Sequence, residues 1–331
     1  MNNLFVFLAT FLITFIFTVI FTKKLIPIIK SKRIGQKILE DGPSWHKPKE
    51  GTPTMGGLAF IFAILIALGI YCFLVKNENK WREIICVINV VVYAILNGII
   101  GVVDDIAKIK NKRNKGLTAK KKFFLQSIVS ILFLISFKFS VGIETSINLP
   151  FFKEPVEIGW LFYIIAFFIL CGFVNAVNLS DGLDGLASSL TLSVGFLFLF
   201  VGLFVQNNSG ITFLSSAILG SMLGFLIFNF YPAKIFMGDT GSLFLGGLVV
   251  SFSFLLNNIF LVLVYGFVFF CEAMSVILQV TFFKITKGKR LFKMAPLHHH
   301  FEKCGWSERK VVSVFFIVNL IFCAIAYLGV I

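Results

Sequence analysis

Residues 3–22 read NLFVFLATFLITFIFTVIFT, a stretch of 20 residues without a charged side chain that ends directly before Lys23 and Lys24. A helix of about 20 apolar residues crosses the hydrocarbon layer of a bilayer, which is about 30 Å thick. The segment has neither a basic region before it nor a small-residue cleavage site, so we expect a membrane helix and not a cleaved signal peptide. The start of the chain therefore predicts an integral membrane protein.

The composition of the whole chain predicts the same fold class. Of its 331 residues, 58% are hydrophobic and 14% are charged, whereas soluble domains carry about 25% charged residues. We predict an all-α integral membrane protein, organised as a single polytopic membrane domain over residues 1–331. The ten predicted spans cover residues 3–22, 56–75, 84–103, 123–141, 158–176, 186–206, 210–230, 242–257, 258–282 and 311–331.

The turn between the eighth and ninth predicted spans is marked only by Asn257 and Asn258. Nine spans, or a re-entrant segment at this position, is therefore the alternative to ten spans. None of the six cysteines forms a C-x-x-C pair. The cysteines indicate neither a disulfide framework nor a zinc site.

The distribution of basic residues predicts the orientation of the helices. One set of alternating loops, chiefly 23–55, 108–122 and 284–310, holds 25 of the 30 lysines and arginines. Cytoplasmic loops carry such an excess, which places both chain termini outside. The net charge of +14 is therefore explained mainly by the basic residues that set the orientation of the helices in the membrane. It can also attract anionic lipid headgroups or an anionic substrate, and nucleic acid is not expected as a partner.

Five aspartates lie near predicted helix ends on that same side: Asp104, Asp105, Asp181, Asp184 and Asp239. One carboxylate at a helix end could simply face water, but charged groups at membrane depth are costly and usually functional. Five aspartates on the same side of the membrane favour a shared functional site. Oxygen-rich sites suit Mg²⁺, which completes its shell with water and substrate phosphates. Together with nearby lysines, such a site suits phosphoryl transfer, and the sequence contains no P-loop.

Three of these aspartates have informative neighbours. Lys108 follows Asp104 and Asp105 by four and three residues, so it shares their face if the helix continues. The segment Phe236-Met-Gly-Asp239-Thr-Gly-Ser242 precedes the predicted eighth span. Its glycines and main-chain N–H groups are therefore expected to form an anion-binding helix N-terminus.

Three consecutive histidines, His298, His299 and His300, lie in the loop 284–310. On a helix they would point in different directions, so one metal ion cannot easily bind all three. A cluster that donates hydrogen bonds to phosphate is the alternative to a metal-binding tract. Glu272 falls within the ninth predicted span, and we interpret it as structural or paired and not as catalytic.

The motifs together resemble a known family. In this order and spacing, from about residue 30 to residue 314, they are similar to the phospho-N-acetylmuramoyl-pentapeptide transferases of the polyprenyl-phosphate N-acetylhexosamine-1-phosphate transferase superfamily. The triple histidine distinguishes that branch from relatives that transfer N-acetylglucosamine-1-phosphate. The motifs are Gly51-Thr-Pro-Thr54-Met-Gly-Gly57, Asp104-Asp105-x-x-Lys108, Gly116-Leu followed by Lys122, Asn175-x-x-Asn178-Leu-Ser-Asp181-Gly-Leu-Asp184-Gly-Leu, Phe236-Met-Gly-Asp239-Thr-Gly-Ser-Leu and Met294-Ala-Pro-x-His298-His299-His300-Phe-Glu.

The resemblance implies transfer of phospho-N-acetylmuramoyl-pentapeptide from its UDP donor to undecaprenyl phosphate in the bacterial cytoplasmic membrane. The products would be lipid I and UMP, and the cofactor would be Mg²⁺. The resemblance also implies a homodimer of ten-helix subunits, with the active site at the cytoplasmic face. Asp239 matches the Mg²⁺ ligand, and Asp104 matches the residue that deprotonates the lipid phosphate or acts as the nucleophile. The implied catalytic residues are Asp104, Asp105, Asp239, Lys108 and His298. The implied substrate-binding residues, with Phe236 stacked on the uracil, are Lys49, Thr54, Lys122, Asn175, Asn178, Asp181, Asp184, Asn229, Phe236, His299 and His300.

Two other functions are the alternatives to this one. A sister transferase would use a different UDP-sugar, and the triple histidine argues against it. A cation transporter or channel would carry its carboxylates near the middle of the membrane, whereas this sequence predicts them at one face. The chain departs from the family pattern at Val314, where the family usually has an arginine.

Overall fold

The protein is described by a computed structural model, which includes side chains, over residues 2–31, 49–76, 80–111, 116–143, 145–147 and 155–331. Seven of the 25 basic residues that predict the membrane orientation lie outside these ranges, within 32–48 and 112–115, and the structure contains no membrane. The orientation, with both termini outside, therefore stays a prediction.

The described residues form twelve α-helices and one pair of two-residue strands. Ten of the helices, all except α9 and α11, are long and apolar enough to cross a membrane, which confirms an all-α integral membrane protein. Strands β1 (Ser146–Ile147) and β2 (Val156–Glu157) pair antiparallel, and α6 continues into a π-helical turn, Val201–Val205. The helices are α1 (Asn3–Ser31), α2 (Gly57–Val75), α3 (Trp81–Asn111), α4 (Ala119–Ser140), α5 (Leu161–Leu179), α6 (Leu186–Phe200), α7 (Ser209–Asn229), α8 (Gly238–Leu255), α9 (Leu261–Tyr265), α10 (Phe267–Ile285), α11 (Leu297–Lys303) and α12 (Glu308–Leu328).

The prediction of one continuous ninth helix over 258–282 is wrong. The chain forms the five-residue helix α9 and then α10, with a break at Gly266. Asn319 of α12 binds the main chain on both sides of this break. Its Oδ1 accepts a hydrogen bond from Val268 N at 3.2 Å, and its Nδ2 donates to Tyr265 O at 3.1 Å. Because a bilayer offers no water to free main-chain groups, a side chain from a neighbouring helix satisfies them here.

The eighth span begins four residues earlier than predicted, at Gly238 and not at residue 242. Gly238 has a φ of +71°, and a Cβ at this position would lie 2.6 Å from Asp105 Oδ2. Glycine adopts positive φ without strain and leaves room for the carboxylate. Asp239 therefore lies in the first turn of α8 and not in a loop before it.

Helix α8 lies at the centre of the bundle, and every residue from Thr240 to Phe254 is buried. Glycines on two of its faces allow other helices to approach its backbone. A Cβ at Gly246 would lie 2.7 Å from Val174 Cα of α5, and one at Gly247 would lie 2.8 Å from Ala94 Cα of α3. Small residues permit such close packing between membrane helices, where dispersion contacts drive association.

Helix α1 packs against α7 in the same way. Gly220 and Gly224 of α7 are four residues apart, the spacing that brings two membrane helices together. A Cβ at Gly220 would lie 2.2 Å from Thr14 Oγ1, and one at Gly224 would lie 3.2 Å from Thr18 Cβ. The side of α1 away from α7 carries exposed apolar side chains, as expected for a helix that faces lipid.

The polar segments between helices meet at one end of the bundle. Gly56 N, just before α2, donates a hydrogen bond to Phe236 O, just before α8, at 2.8 Å. Asp184 N, between α5 and α6, donates to Glu308 Oε1 at the start of α12 at 2.6 Å. This end of the bundle is where the sequence predicts the functional residues.

We predict that Gly57→Ala destabilises the bundle. A Cβ at Gly57 would lie 2.3 Å from Gly241 Cα of α8, so α2 and α8 would have to separate. Overpacking of this kind costs about 1–3 kcal/mol, which a lower midpoint of thermal unfolding in detergent would show. Gly69→Ala is the matched control, because Gly69 lies in the same helix with no heavy atom within 4 Å of its Cβ position. Equal midpoints for the two variants would contradict the prediction.

Candidate active site

Helices α3 and α8 bring three carboxylates together. One oxygen atom from each of Asp104, Asp105 and Asp239 lies within 4.8 Å of the other two. Asp104 and Asp105 are buried in α3, and Asp239 in the first turn of α8 is partly exposed. The structure thus joins three of the five aspartates that the sequence singles out.

The Asp105 carboxylate holds the first turn of α8. It accepts hydrogen bonds from Asp239 N at 3.2 Å, from Thr240 N at 2.9 Å and from Thr240 Oγ1 at 2.8 Å. The first main-chain N–H groups of a helix have no partner within the helix, so a carboxylate at this point stabilises the terminus. Asp105 therefore positions Asp239.

Lys108 links all three carboxylates. Its Nζ lies 2.7 Å from Asp104 Oδ2, 2.9 Å from Asp239 Oδ1 and 3.7 Å from Asp105 Oδ1. The prediction that Lys108 shares a helical face with Asp104 and Asp105 is confirmed. The other Asp104 oxygen accepts a hydrogen bond from Leu117 N at 2.6 Å, which holds the segment before α4 against the cluster.

A second lysine reaches Asp239 from α4. Lys122 Nζ lies 2.6 Å from Asp239 Oδ2 and donates a hydrogen bond to Asn178 Oδ1 at 3.1 Å. Asn178 Nδ2 in turn donates to Ser242 Oγ at 2.7 Å. Two ammonium groups therefore face three carboxylates, and α4 and α5 contribute to the same cluster as α3 and α8.

The donor atoms of this cluster fit a hard divalent cation. The converging groups of Asp104, Asp105 and Asp239 are carboxylates, and no histidine or cysteine belongs to the cluster among the residues that the structure describes. Mg²⁺ takes oxygen ligands of this kind and usually only one or two from protein carboxylates. Asp239 is the most exposed of the three, and within the described ranges its carboxylate is bound by side chains and by no main-chain group. It is therefore the best placed to turn toward an ion.

A second charged group lies between the α5–α6 loop and α12. Lys49 Nζ contacts Asp184 Oδ1 at 2.7 Å and Glu308 Oε1 at 2.5 Å, and Asp184 Oδ2 accepts a hydrogen bond from Ala233 N at 2.9 Å. Burial lowers the pKa of the Lys49 ammonium, but Glu308 and Asp184 outweigh burial and raise the pKa above its ordinary value.

The site prediction did not include Glu308. Its carboxylate holds Lys49 and also accepts the main-chain hydrogen bond from Asp184. The signal in the sequence was its place in the segment Gly305-Trp306-Ser307-Glu308, directly before the last apolar span. A charged residue at the entry of a membrane helix usually faces water, so this signal alone did not mark it as a partner of Lys49.

Asp181 lies on the same loop and is partly exposed. Among the residues that the structure describes, its carboxylate has no hydrogen-bond or ion-pair partner. Burial and the nearby carboxylates of Asp239, Asp105 and Asp184 raise the pKa of Asp181 well above its ordinary value. Because it is partly exposed and has no partner among the described residues, the Asp181 carboxyl group is available to a ligand.

Two predicted binding residues have their side-chain amides engaged within the protein. Asn175 Nδ2 donates to Gln126 Oε1 at 2.8 Å, and Gln126 Nε2 donates back to Asn175 Oδ1 at 3.4 Å. Asn229 Oδ1 accepts from Ser188 Oγ at 3.0 Å, and its Nδ2 donates to Ile235 O at 3.0 Å. Asn175 thus links α5 to α4, and Asn229 holds the main chain before α8. Direct contact of either asparagine with substrate stays a prediction.

Thr54 and Phe236 lie on two segments that are paired by their main chains. Phe236 N donates to Pro53 O at 2.8 Å, and Thr54 Oγ1 lies 2.9 Å from the position of a Cβ at Gly238. Both side chains are partly exposed at the same end of the bundle. The structure therefore leaves Thr54 and Phe236 accessible beside the first turn of α8.

The three histidines point in different directions on α11, as predicted. His298 Nδ1 lies 2.9 Å from Glu272 Oε2, and His299 Nδ1 lies 2.8 Å from Glu302 Oε2. His300 Nδ1 instead accepts a hydrogen bond from the main chain at 3.1 Å. The interpretation of Glu272 as a paired residue is confirmed, because its partner is His298.

Comparisons with known proteins identify the family. A family model described as glycosyl transferase family 4 matches residues 87–257, and signature 1 of the phospho-N-acetylmuramoyl-pentapeptide transferases matches residues 49–61. Proteins with that name are similar along nearly the whole chain. The protein of Listeria welshimeri serovar 6b is 45% identical over 96% of each chain, that of Clostridioides difficile is 43% identical over 92% of each, and that of Staphylococcus saprophyticus is 45% identical over 90% of this chain and 91% of its own.

The chain belongs to the phospho-N-acetylmuramoyl-pentapeptide transferase family. The signature of this transferase family begins at Lys49 and includes Thr54. The glycosyl transferase model spans the carboxylate cluster and both of its lysines. The triple histidine and Glu308 lie beyond that model, in the part of the chain matched by the full-length transferases.

We predict that Asp184→Leu destabilises the transferase more than Asp184→Asn. Leucine removes the oxygen atoms that accept hydrogen bonds from Lys49 Nζ and Ala233 N. Asparagine keeps one oxygen, which can accept one of these two hydrogen bonds. Removing one partner of a buried ion pair costs about 3–5 kcal/mol, and the partial exposure of Lys49 places the expected loss near the lower end. Thermal unfolding in detergent measures both variants. The same loss for leucine and asparagine would show that these contacts contribute nothing specific.

Proposed function

We propose that this chain transfers phospho-N-acetylmuramoyl-pentapeptide from its UDP donor to undecaprenyl phosphate, forming lipid I and releasing UMP. The observation that carries the proposal is the cluster of Asp104, Asp105 and Asp239 with Lys108 and Lys122 at one end of the bundle. A water-soluble nucleotide and a membrane-bound phosphate can meet at such an end. The name of the curated relatives that match 96% of the chain supports the same reaction.

In this reaction an oxygen of the lipid phosphate bonds to the phosphorus that carries the sugar, and the bond from that phosphorus to UMP breaks. Catalysis of phosphoryl transfer rests mainly on positioning and on neutralisation of charge. Asp104 is the residue proposed to deprotonate the lipid phosphate or to act as the nucleophile. Lys108 and Lys122 are proposed to contact phosphate oxygens, because their ammonium groups lie 2.9 Å and 2.6 Å from the Asp239 carboxylate.

Mg²⁺ is the proposed cofactor, with Asp239 as its ligand and Asp104 beside it. When bound, the ion would neutralise negative charge on the diphosphate of the donor. The arrangement supports this division of roles, because the first turn of α8 occupies the Asp105 carboxylate, while the Asp239 carboxylate is bound by the flexible side chains of Lys108 and Lys122. We therefore propose that Asp105 positions Asp239.

The donor is proposed to bind beside this cluster. Phe236 is partly exposed and is proposed to stack on the uracil, and Asp181 has a carboxyl group available for hydrogen bonding. Asn175 and Asn229 are proposed to shape the pocket through the contacts described above. The other proposed donor-binding residues are Lys49, Thr54, Asn178, Asp184, His299 and His300.

The ten apolar helices make the chain a multi-pass membrane protein. Its proposed location is the bacterial cytoplasmic membrane, with the carboxylate cluster at the cytoplasmic side, as the basic loops and the bacterial relatives indicate. A single membrane domain over residues 1–331 and a homodimer are part of the same proposal. The mass of the purified protein in detergent would test the dimer.

We predict that the purified protein releases UMP from UDP-MurNAc-pentapeptide when undecaprenyl phosphate and Mg²⁺ are present. EDTA is expected to abolish the release, and a lipid-linked product is expected to accumulate in step with UMP. UDP-GlcNAc serves as the control donor. Release from UDP-GlcNAc alone would identify a sister transferase, and release from neither donor by folded protein would reject the proposal.

We predict that Asp239→Ala lowers turnover by at least about 100-fold, the usual effect of removing one group that stabilises charge at a reacting centre. The variant is also expected to lose the rise in thermal midpoint that Mg²⁺ gives the wild type, since a ligand stabilises only the state that binds it. Glu157→Ala is the control, because Glu157 lies in β2 and outside the carboxylate cluster. Near-normal turnover of Asp239→Ala would remove Asp239 from the reaction.

A further inference from the structure

A buried carboxylate fixes both the main chain and the ring of His298. Glu272 of α10 is fully buried, and His298 is 1% exposed. Glu272 Oε1 accepts a hydrogen bond from His298 N at 3.1 Å, and Glu272 Oε2 lies 2.9 Å from His298 Nδ1. Both oxygens of one carboxylate therefore determine where the imidazole ring points.

The far edge of the ring lies directly against the α5–α6 loop. A Cβ at Gly182 would lie 2.2 Å from His298 Nε2 and 2.7 Å from His298 Cε1. His298 Nε2 is buried and has no hydrogen-bond partner among the described residues. Gly182 stands between Asp181 and Asp184, so the ring touches the loop that carries both carboxyl groups.

We infer that Glu272 and His298 form a strut between α10 and the α5–α6 loop, which holds Asp181 and Asp184 in place for donor binding. The inference rests on the proposed function, since it assigns the loop to the donor. His298 then acts as a positioning residue, whereas the sequence predicts a catalytic one. The geometry favours positioning because the ring is enclosed on all sides and its free nitrogen faces a glycine.

The rest of the ring, and not the unpartnered nitrogen, accounts for a histidine at this position. A buried polar atom without a hydrogen bond lowers stability, so Nε2 itself contributes nothing to the strut. Histidine combines a donor for Glu272 with a flat ring that fits against the main chain of Gly182. A longer or bulkier side chain would push the loop away, and a smaller one would leave a gap beneath it.

The test uses the contact between Gly182 and His298. Gly182→Ala places a methyl group where His298 Nε2 lies. Because such overpacking displaces the loop, we expect the rate of UMP release at low donor concentration to fall by at least about tenfold. His298→Asn keeps an N–H donor near the position of Nδ1 and removes Cε1 and Nε2. The double variant Gly182→Ala/His298→Asn should therefore recover at least about fivefold over Gly182→Ala, mainly through a lower KM for UDP-MurNAc-pentapeptide.

Two readouts separate positioning from proton transfer. His298→Asn should keep both limbs of the pH profile of kcat/KM, because the strut needs no titrating ring at this position. The matched control for Gly182→Ala is Gly172→Ala, which should release UMP at the wild-type rate, because Gly172 lies on α5 with no heavy atom within 4 Å of its Cβ position. Loss of one limb in His298→Asn, together with no recovery in the double variant, would overturn the inference and assign His298 to acid–base chemistry.

Thermal unfolding tests the strut independently of the reaction. The midpoint should fall in Gly182→Ala and return toward that of the wild type in the double variant. This result would support the strut even if the wild type released UMP from no donor, which would reject the proposed function alone. A midpoint that stays low in the double variant while wild-type turnover is intact would reject the strut alone.

Discussion

The hydrogen bonds from the first turn of α8 to Asp105 are the interaction on which the candidate site depends. They satisfy main-chain groups that a helix terminus leaves free, and they place a negative charge at the positive end of the helix dipole. Because Asp105 follows Asp104 on α3 and Asp239 lies within the bound turn, one contact sets the distance between carboxylates on two helices. Lys108 and Lys122 then limit the repulsion among those carboxylates.

The fold class and the clustering of Asp104, Asp105 and Asp239 could be predicted from the sequence, because both follow from strong, local constraints. An uncharged run such as residues 3–22 has few stable locations other than a bilayer. In consecutive antiparallel spans, the C-terminal end of an odd-numbered helix and the N-terminal end of an even-numbered helix lie at the same end of the bundle. Asp104 near the end of α3 and Asp239 at the start of α8 do meet there. The spacing from Asp105 to Lys108 likewise predicted their shared helical face, since three residues make nearly one turn.

The remaining features depend on partners far away in the chain, which no local pattern reveals. The break at Gly266 is stabilised by Asn319, and Lys49 is held by Glu308 at a separation of 259 positions. The early start of α8 depends on the acceptor that Asp105 supplies from α3. Without that acceptor the glycines around Asp239 are typical of a loop, which is why the sequence placed the helix start four residues too late.

Because α8 is buried along its length, different helices face the lipid and carry Asp239. Since Thr240 to Phe254 are enclosed by other helices, a hydrocarbon tail in the bilayer can touch only the outer helices. Substitutions that adapt those outer surfaces to a thicker, thinner or more unsaturated lipid environment leave the helix that carries Asp239 unchanged. The bundle can therefore diverge at its perimeter as membranes differ between organisms, while the charged centre stays the same.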